Sequence, residues 1–211
     1  MAPLTVFVHI PKCAGTTFEE EILSKNLNFI RYPVNKLHNW DKITAVGGHF
    51  NYNLVCDSEH FANREKIFFT LLREPIKRLL SYYYFCDHQD SIEYWLTAHK
   101  QNLSNVMVRY LSSCTREAKQ YHLDKAKEVL NNINFGLTEH FDDSLRLFKS
   151  GYPEFFKSIS YERKNVTKKK YSYAMQSDEV KQKLVGYNDL DIELYQYAKK
   201  LFKERINEIQ I

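Results

Sequence analysis

The chain has 211 residues, of which 44% are hydrophobic and 27% are charged, and its formal net charge is +4. This length and composition fit one globular domain with its own core. The charge is only mildly basic and gives no reason to expect a nucleic acid partner. Residues 1–211 contain no repeat, low-complexity tract or linker, so we predict a single domain.

The first motif is a strand, a turn and a helix at the start of the chain. An apolar run predicts a strand over residues 4–10, which Pro11 ends. Gly15 has no Cβ and lets backbone N–H groups approach an anion. Thr16 and Thr17 can cap a helix predicted over 16–25 and can donate to phosphate oxygens. The motif therefore predicts a nucleotide or nucleotide-like ligand. The turn contains Lys12, Cys13, Ala14, Gly15, Thr16 and Thr17.

This turn differs from the ordinary phosphate loop of nucleoside triphosphatases. In that loop a Lys directly follows the second Gly, whereas here Lys12 precedes Gly15. A second apolar strand, predicted over 66–72, ends in Arg73 and not in the Asp that would hold Mg²⁺. A phosphotransferase is therefore the weaker interpretation, and the absence of a G-x-G-x-x-G pattern weakens a dinucleotide site.

A second strand, turn and helix carries a second candidate phosphate site. Arg73 follows the strand, Pro75 suits the first turn of a helix predicted over 75–87, and Ser81 lies about two turns further on. A guanidinium with a hydroxyl suits a phosphate group. Two such sites fit a nucleotide that is phosphorylated at both its 5′ and 3′ positions.

The remaining pattern alternates strands with helices and predicts an α/β fold of the P-loop-like three-layer kind, with a central parallel sheet flanked by helices. Ligands of such sheets bind at the carboxyl ends of the strands. Lys12, His49 and Arg73 each follow a predicted strand, so we expect them to converge. The other predicted strands are 28–31, 43–47, 135–138, 158–161 and 165–167, and the other predicted helices are 57–63, 91–100, 104–113, 122–132, 141–149 and 189–206.

These motifs resemble those of sulfotransferases that use 3′-phosphoadenosine 5′-phosphosulfate (PAPS). Residues 11–17 resemble their 5′-phosphosulfate loop, and residues 73–81 resemble their 3′-phosphate motif. The greatest similarity is to the heparan sulfate and uronyl 2-O-sulfotransferases, whose landmarks recur in order at 48–50, 73–85, 105–111 and 135–145. Beyond residue 150 the likeness is loose, although residues 165–170 resemble the late cofactor loop.

The resemblance implies roles for individual residues in sulfuryl transfer. Lys12 would stabilise the leaving phosphate, and His49 would be the general base for the acceptor hydroxyl. Arg109 and Tyr110 match the acceptor side, where helix packing is an equal alternative. The implied acceptor is a uronic-acid-containing polysaccharide or oligosaccharide; no oligomeric state is implied. Cofactor contacts are implied for Lys12, Cys13, Ala14, Gly15, Thr16, Thr17, Arg73, Ser81, Thr167 and Lys168.

Several alternatives to these roles stay open. A glutamate at 19, 20 or 21 could be the base instead, although helix phase would point at most one of them inward. His9 is expected to pack against the loop or orient it. Arg73 could instead form a structural ion pair with Glu74. The protein could also be a polyanion-binding module without chemistry, using basic clusters at 163–170 and 199–205.

Cysteine spacing and hydropathy bear on cofactors and on the compartment. Cys13, Cys56, Cys86 and Cys114 form no C-x-x-C pair, so we expect neither a metal site nor a disulfide framework. Cys13 is interpreted as a tolerated small residue and not as a nucleophile. The first strand begins near residue 4, and no apolar run reaches about 20 residues. We therefore expect a soluble, cytoplasmic protein, or one from the Golgi lumen if the chain is an excised domain.

Overall fold

The computed structural model describes residues 3–33, 40–54, 61, 63–86, 90–164 and 173–209. Its centre is a five-stranded sheet with the strand order β2-β3-β1-β4-β5, in which each neighbouring pair is parallel. The predicted α/β class with a central parallel sheet is confirmed. The strands are β1 (Leu4–Val8), β2 (Phe29–Arg31), β3 (Ala45–Gly48), β4 (Lys66–Leu72) and β5 (Asn134–Leu137).

The helices flank this sheet and also build a lobe beside it. A π-helical segment, Phe18–Leu23, joins α1 to α2 and makes residues 15–26 one continuous helical stretch, called the first helix below. The helices are α1 (Gly15–Thr17), α2 (Ser24–Asn26), α3 (Pro75–Phe85), α4 (Ile92–Ala98), α5 (Lys100–Leu103), α6 (Val106–Ser112), α7 (Gln120–Asn132), α8 (Phe141–Gly151), α9 (Asp178–Gly186) and α10 (Asp189–Ile209).

Two short strands and one helix were predicted outside this set. The strand predicted over 158–161 is wrong, because this segment is irregular and its backbone bonds to a helix side chain. The Ser158 N–H donates to Asn26 Oδ1 at 2.9 Å, and Asn26 Nδ2 donates back to the Ser158 carbonyl at 2.8 Å. Residues 165–167 lie outside the described residues, as does most of the helix predicted over 57–63. Helix α9 was not predicted.

The main core forms around β1, whose five residues are all buried. Phenylalanines pack in contact on one face of the sheet: the Phe7 and Phe18 rings are 4.7 Å apart, and the Phe69 and Phe148 rings are 5.1 Å apart. Such ring pairs add to the stabilisation that burial gives. The packing fixes β1 and β4, and with them the sheet edge from which the two candidate phosphate motifs begin.

Helix α6 is fixed to the start of α10 by buried polar contacts. The Asp191 carboxylate, fully buried, accepts the Met107 N–H at 3.0 Å and the Val108 N–H at 2.8 Å. Asn105 precedes α6 in the left-handed conformation, with φ 48°, and its side chain donates to Asp189 Oδ1 at 2.8 Å. These bonds satisfy N–H groups that a helix leaves without intrahelical partners. They hold the later residues of α6 at the carboxyl edge of the sheet.

Candidate active site

The turn after β1, residues 11–17, is called the Lys12 loop below. Lys12 and Ala14 adopt the left-handed conformation, with φ 68° and 62°, which is uncommon for residues other than glycine. A Cβ on Gly15 would overlap the imidazole ring of His9. Glycine is therefore required at this position by the close packing of His9, a reason that the sequence pattern did not contain.

The prediction that Thr16 and Thr17 cap the first helix is wrong. The N-cap residue is Ala14, which has no capping side chain, and both threonines lie inside the first turn. Thr17 Oγ1 instead accepts the Lys164 N–H at 3.0 Å. The N–H groups of a first helical turn have no intrahelical acceptor, and with the helix dipole they favour an anion.

Cys13 lies beneath the Lys12 loop. Its side chain is buried, and burial raises the pKa of its thiol to about 12. A thiol with so high a pKa is a poor nucleophile near neutral pH. This environment supports the interpretation of Cys13 as a small packing residue, and Cys13 is not among the residues that line the cavity above the loop.

A first cavity of about 360 Å³ opens above the Lys12 loop. It brings together the ends of three strands, with Lys12 after β1, His49 after β3 and Arg73 after β4. It is also lined by five other residues of the two motifs, whose binding role stays a prediction: Ala14, Gly15, Thr16, Thr17 and Ser81. Thr167 and Lys168 lie outside the described residues.

Lys12 and Arg73 place two positive groups at the first cavity. The Arg73 guanidinium donates to the Lys12 carbonyl at 3.0 Å, and Lys12 Nζ lies 3.5 Å from the centre of the Phe85 ring. Burial and, secondarily, the charge of Arg73 lower the pKa of Lys12. An anionic ligand between these two groups would offset their repulsion.

Glu74 caps helix α3 and does not form the ion pair with Arg73 that was considered as an alternative. Its carboxylate is the N-cap of α3 and accepts the Ile76 N–H at 3.2 Å and the Lys77 N–H at 2.6 Å. This contact fixes the start of the helix that carries Ser81. The Arg73 side chain lines the first cavity.

His49 is held with one nitrogen available to a ligand. Its Nδ1 lies 2.8 Å from the His9 carbonyl oxygen. A carbonyl can only accept, so Nδ1 carries the hydrogen and Nε2 of the neutral ring has a lone pair. Burial and, secondarily, the His9 ring lower the pKa of His49. A lowered pKa keeps this imidazole neutral near pH 7, the state that a general base needs.

A second cavity, of about 390 Å³, adjoins the first and shares Pro11, His49 and Tyr82 with it. Arg109 and Tyr110, the predicted acceptor-side residues, both line it together with Arg78. Arg109 donates to the Gln101 carbonyl at 2.7 Å. Among the described residues, the buried Nε atoms of Arg78 and Arg109 have no hydrogen-bond partner.

The three glutamates considered as alternative bases do not line the first cavity. Glu20 is exposed, whereas Glu19 and Glu21 are both buried. The expectation that at most one would point inward is therefore wrong, because the π-helical segment changes the phase of an ordinary helix. Glu21 forms ion pairs with Lys25 at 2.6 Å and Lys164 at 3.0 Å.

Several cavity-lining residues were not assigned from the sequence. Arg78 lies inside the 73–81 motif, and Arg163 and Lys164 begin the basic cluster at 163–170. The sequence pattern therefore pointed to the segments that contain these three residues. Tyr82 and Phe85 lie on α3 with Ser81, and Thr138 and Phe141 fall within the landmark at 135–145, so the sequence marked their segments without assigning them a role. Tyr161 instead reaches the first cavity through long-range packing that no local pattern indicates.

The C-terminal basic cluster is partly structural. Arg205 donates to the Ile133 carbonyl at 2.8 Å and to the Leu130 and Asn131 carbonyls at 3.0 Å. These carbonyls belong to the last turn of α7 and the residue after it, so Arg205 satisfies a helix end. This contact weakens the interpretation of the cluster as a polyanion-binding surface.

Two further findings, on metal ligation and on membrane crossing, concern the described ranges only. Those ranges contain no group of three or more His, Cys, Asp or Glu side chains placed to hold a metal ion. Within the same ranges, every helix is too short or too polar to cross a bilayer.

Comparison with known proteins gives consistent matches. The chain is similar to heparan sulfate 2-O-sulfotransferase 1 of Xenopus laevis, with 22% identity over 202 residues, covering 74% of this chain and 57% of that protein. It is similar to the proteins of that name from Mus musculus, with 23% identity over 205 residues (74% and 57% covered), and Homo sapiens, with 25% over 200 residues (74% and 56% covered).

This chain thus spans a little over half the length of these relatives. The model of the sulfotransferase family matches residues 4–198, a range that includes the Lys12 loop, both cavities and the first half of α10. The chain therefore belongs to the sulfotransferase family.

Proposed function

We propose that this protein transfers a sulfuryl group from PAPS to a hydroxyl of a carbohydrate acceptor that contains uronic acid. The observation that carries the proposal is the pair of adjoining cavities with His49 on their shared wall. One cavity has the anion-binding features that the donor requires. The other offers a separate, positively charged space for the acceptor.

In this proposal the donor occupies the first cavity, and its two phosphate groups bind at different places on the wall. The 5′-phosphosulfate would meet the first-turn N–H groups of the first helix and Lys12. The 3′-phosphate would meet Arg73 and Ser81, since a guanidinium fork and a hydroxyl recognise phosphate oxygens. Arg163 and Lys164 also line this cavity. We propose Thr167 and Lys168, which follow them in the sequence, as further donor contacts.

The reaction is an in-line displacement at sulfur. The acceptor oxygen forms a bond to sulfur while the bond from sulfur to the bridging oxygen breaks. The acceptor proton goes to His49 Nε2, and the electron pair of the broken bond stays on the 5′-phosphate of adenosine 3′,5′-bisphosphate, next to Lys12. Because the two cavities adjoin at His49, an acceptor in the second cavity would approach the sulfur of a donor in the first.

The second cavity favours an anionic acceptor. Arg78 is buried and Arg109 is partly buried, and each has a buried Nε–H group without a partner among the described residues. A buried donor without an acceptor costs about 1–3 kcal/mol, which a carboxylate in the cavity would offset. A uronic acid supplies such a carboxylate, and the relatives are named for heparan sulfate.

Replacement of Arg109 by Gln is expected to raise KM for a uronic-acid acceptor about 10- to 100-fold, because a charged hydrogen bond is lost. The kcat is expected to change little, since Arg109 is placed on the acceptor and not on the reacting atoms. Initial rates with a carboxyl-reduced acceptor provide the comparison, and exposed Arg116→Gln is the matched control. An equal rise in KM for the carboxyl-reduced acceptor would contradict the role.

Calorimetric titration with adenosine 3′,5′-bisphosphate tests the donor class. We expect binding to the wild type and an affinity about 10- to 100-fold lower for Arg73→Ala, since Arg73 would hold the 3′-phosphate. Lys77→Ala, which changes an exposed cation in the first turn of α3, is the matched control. Preference for ATP with Mg²⁺ would instead support a phosphotransferase.

A further inference from the structure

A buried carboxylate lies behind the candidate base. Glu19, with its side chain 2% exposed, belongs to the π-helical segment of the first helix. Its Oε1 is 3.0 Å from His9 Nδ1, and its Oε2 is 2.6 Å from Arg31 Nη2. A buried carboxylate is costly unless it is paired, so the two contacts fix it in this place.

His9 connects this carboxylate to His49. The His9 ring is 3% exposed and packs against Gly15 on one side. Its centre is 4.1 Å from the centre of the His49 ring, and the two planes are tilted by 40°. The His9 carbonyl accepts the hydrogen of His49 Nδ1. The backbone of His9 therefore sets the tautomer of His49, and its ring limits the rotation of His49.

We propose that Glu19 is a positioning residue for His49 and acts on it through His9. A carboxylate can only accept, so His9 Nδ1 donates to Glu19 and the plane of the His9 ring is fixed. The negative charge of Glu19 also favours the imidazolium that His49 becomes when it takes a proton. The catalytic consequence rests on the proposed function, whereas the effect on the ionisation of His49 does not.

The charge of Glu19 opposes the other charges that act on the pKa of His49. Burial and the His9 and Arg31 charges lower the pKa of His49, and the Glu19 charge acts in the opposite direction. Among the described titratable groups that face His49 or share a cavity with it, Glu19 alone carries a negative charge at neutral pH. The others are His9 and Lys12 after β1, Arg31 on β2, Arg73 after β4, Arg78 and Tyr82 on α3, Arg109, Tyr110 and Cys114 on or after α6, and Tyr161, Arg163 and Lys164 after α8.

Ring nitrogen NMR of the full chain tests the proposal directly. Histidine ¹H–¹⁵N spectra would be recorded across a pH range for the wild type and Glu19→Gln, which keeps an acceptor oxygen and removes the charge. We expect the Nδ1–H tautomer for neutral His49 in the wild type and a pKa lower by about one unit in the variant. Glu20→Gln, an exposed neighbour on the same helix, is the matched control and should give the wild-type pKa.

An unchanged His49 pKa in folded Glu19→Gln would overturn the proposal. If that variant does not fold, Arg31→Gln is the variant to measure, because Arg31 is half exposed and its loss removes the cation that is paired with Glu19. The His49 pKa should then rise, and an unchanged value would again overturn the proposal.

The activity measurement separates this inference from the proposed function. In an active wild type, the acid limb of kcat/KM against pH should move to lower pH in Glu19→Gln by the same amount as the NMR pKa. A limb that stays in place despite a shifted pKa would overturn the positioning role. A wild type that transfers no sulfuryl group would reject the proposed function, while the NMR result would still decide the effect of Glu19 on His49.

Discussion

Replacement of Lys12 by Met is expected to lower kcat about 100- to 1,000-fold, the usual effect of removing one group that stabilises developing negative charge. Lys12 Nζ lies at the wall of the first cavity, held over the Phe85 ring at 3.5 Å. Charge on the leaving phosphate is greater in the transition state than in the bound donor. The loss should therefore fall mainly on kcat, measured at saturating donor and acceptor.

Binding of adenosine 3′,5′-bisphosphate separates this role from simple donor binding. We expect its affinity for Lys12→Met to fall by much less than kcat, because Arg73 and the first-turn N–H groups remain. Lys77→Met, on the exposed side of α3, should leave both quantities unchanged. A loss of affinity as large as the loss of kcat would make Lys12 a binding residue and not a stabiliser of the leaving group.

Replacement of His49 by Asn is expected to lower kcat about 100- to 10,000-fold, because general base catalysis is removed. The Asn amide can still donate to the His9 carbonyl, which now accepts from His49 Nδ1 at 2.8 Å. The fold should therefore be kept while the basic Nε2 is lost. His140→Asn, a change at an exposed histidine of the same chain, is the control.

The pH dependence of the wild type tests the same role. A base acts only when it is deprotonated, so kcat/KM should rise as the pH increases through the pKa of His49. Burial and the His9 ring lower that pKa below its ordinary value of 6.5. The midpoint of the rise in kcat/KM on the acid side of the profile, called the acid limb, should therefore also lie below 6.5. The limb should be absent in His49→Asn. Its persistence in the variant would assign the base to another group.

Much of the fold follows from local sequence pattern. Strand β4 was predicted with the bounds that it has, Lys66–Leu72, because a continuous apolar run ends at an Arg and a Pro. The positions of Lys12, His49 and Arg73 followed from the rule that parallel strands deliver ligands at their carboxyl ends. Their convergence on one cavity is observed, whereas their chemical roles stay predictions.

The remaining features depend on contacts between distant parts of the chain. Residues 158–164 pack along the first helix through Asn26, Glu21 and Thr17, and these bonds bring Tyr161 and Lys164 to the first cavity. The π-helical segment that buries both Glu19 and Glu21 likewise has no simple periodic signal.

Arg78 shows a different limit of the sequence pattern. It is 1% exposed and lines the second cavity. From sequence alone, a single arginine in an amphipathic helix is predicted to lie on the exposed face.

Transfer of radiolabelled sulfuryl groups tests the central claim most directly. The purified chain would be incubated with radiolabelled PAPS and a uronic-acid-containing polysaccharide, with Lys12→Met and His49→Asn in parallel. We predict label in the polysaccharide with the wild type and a large loss with both variants. A folded wild type that binds adenosine 3′,5′-bisphosphate but transfers no label to any carbohydrate hydroxyl would contradict the account.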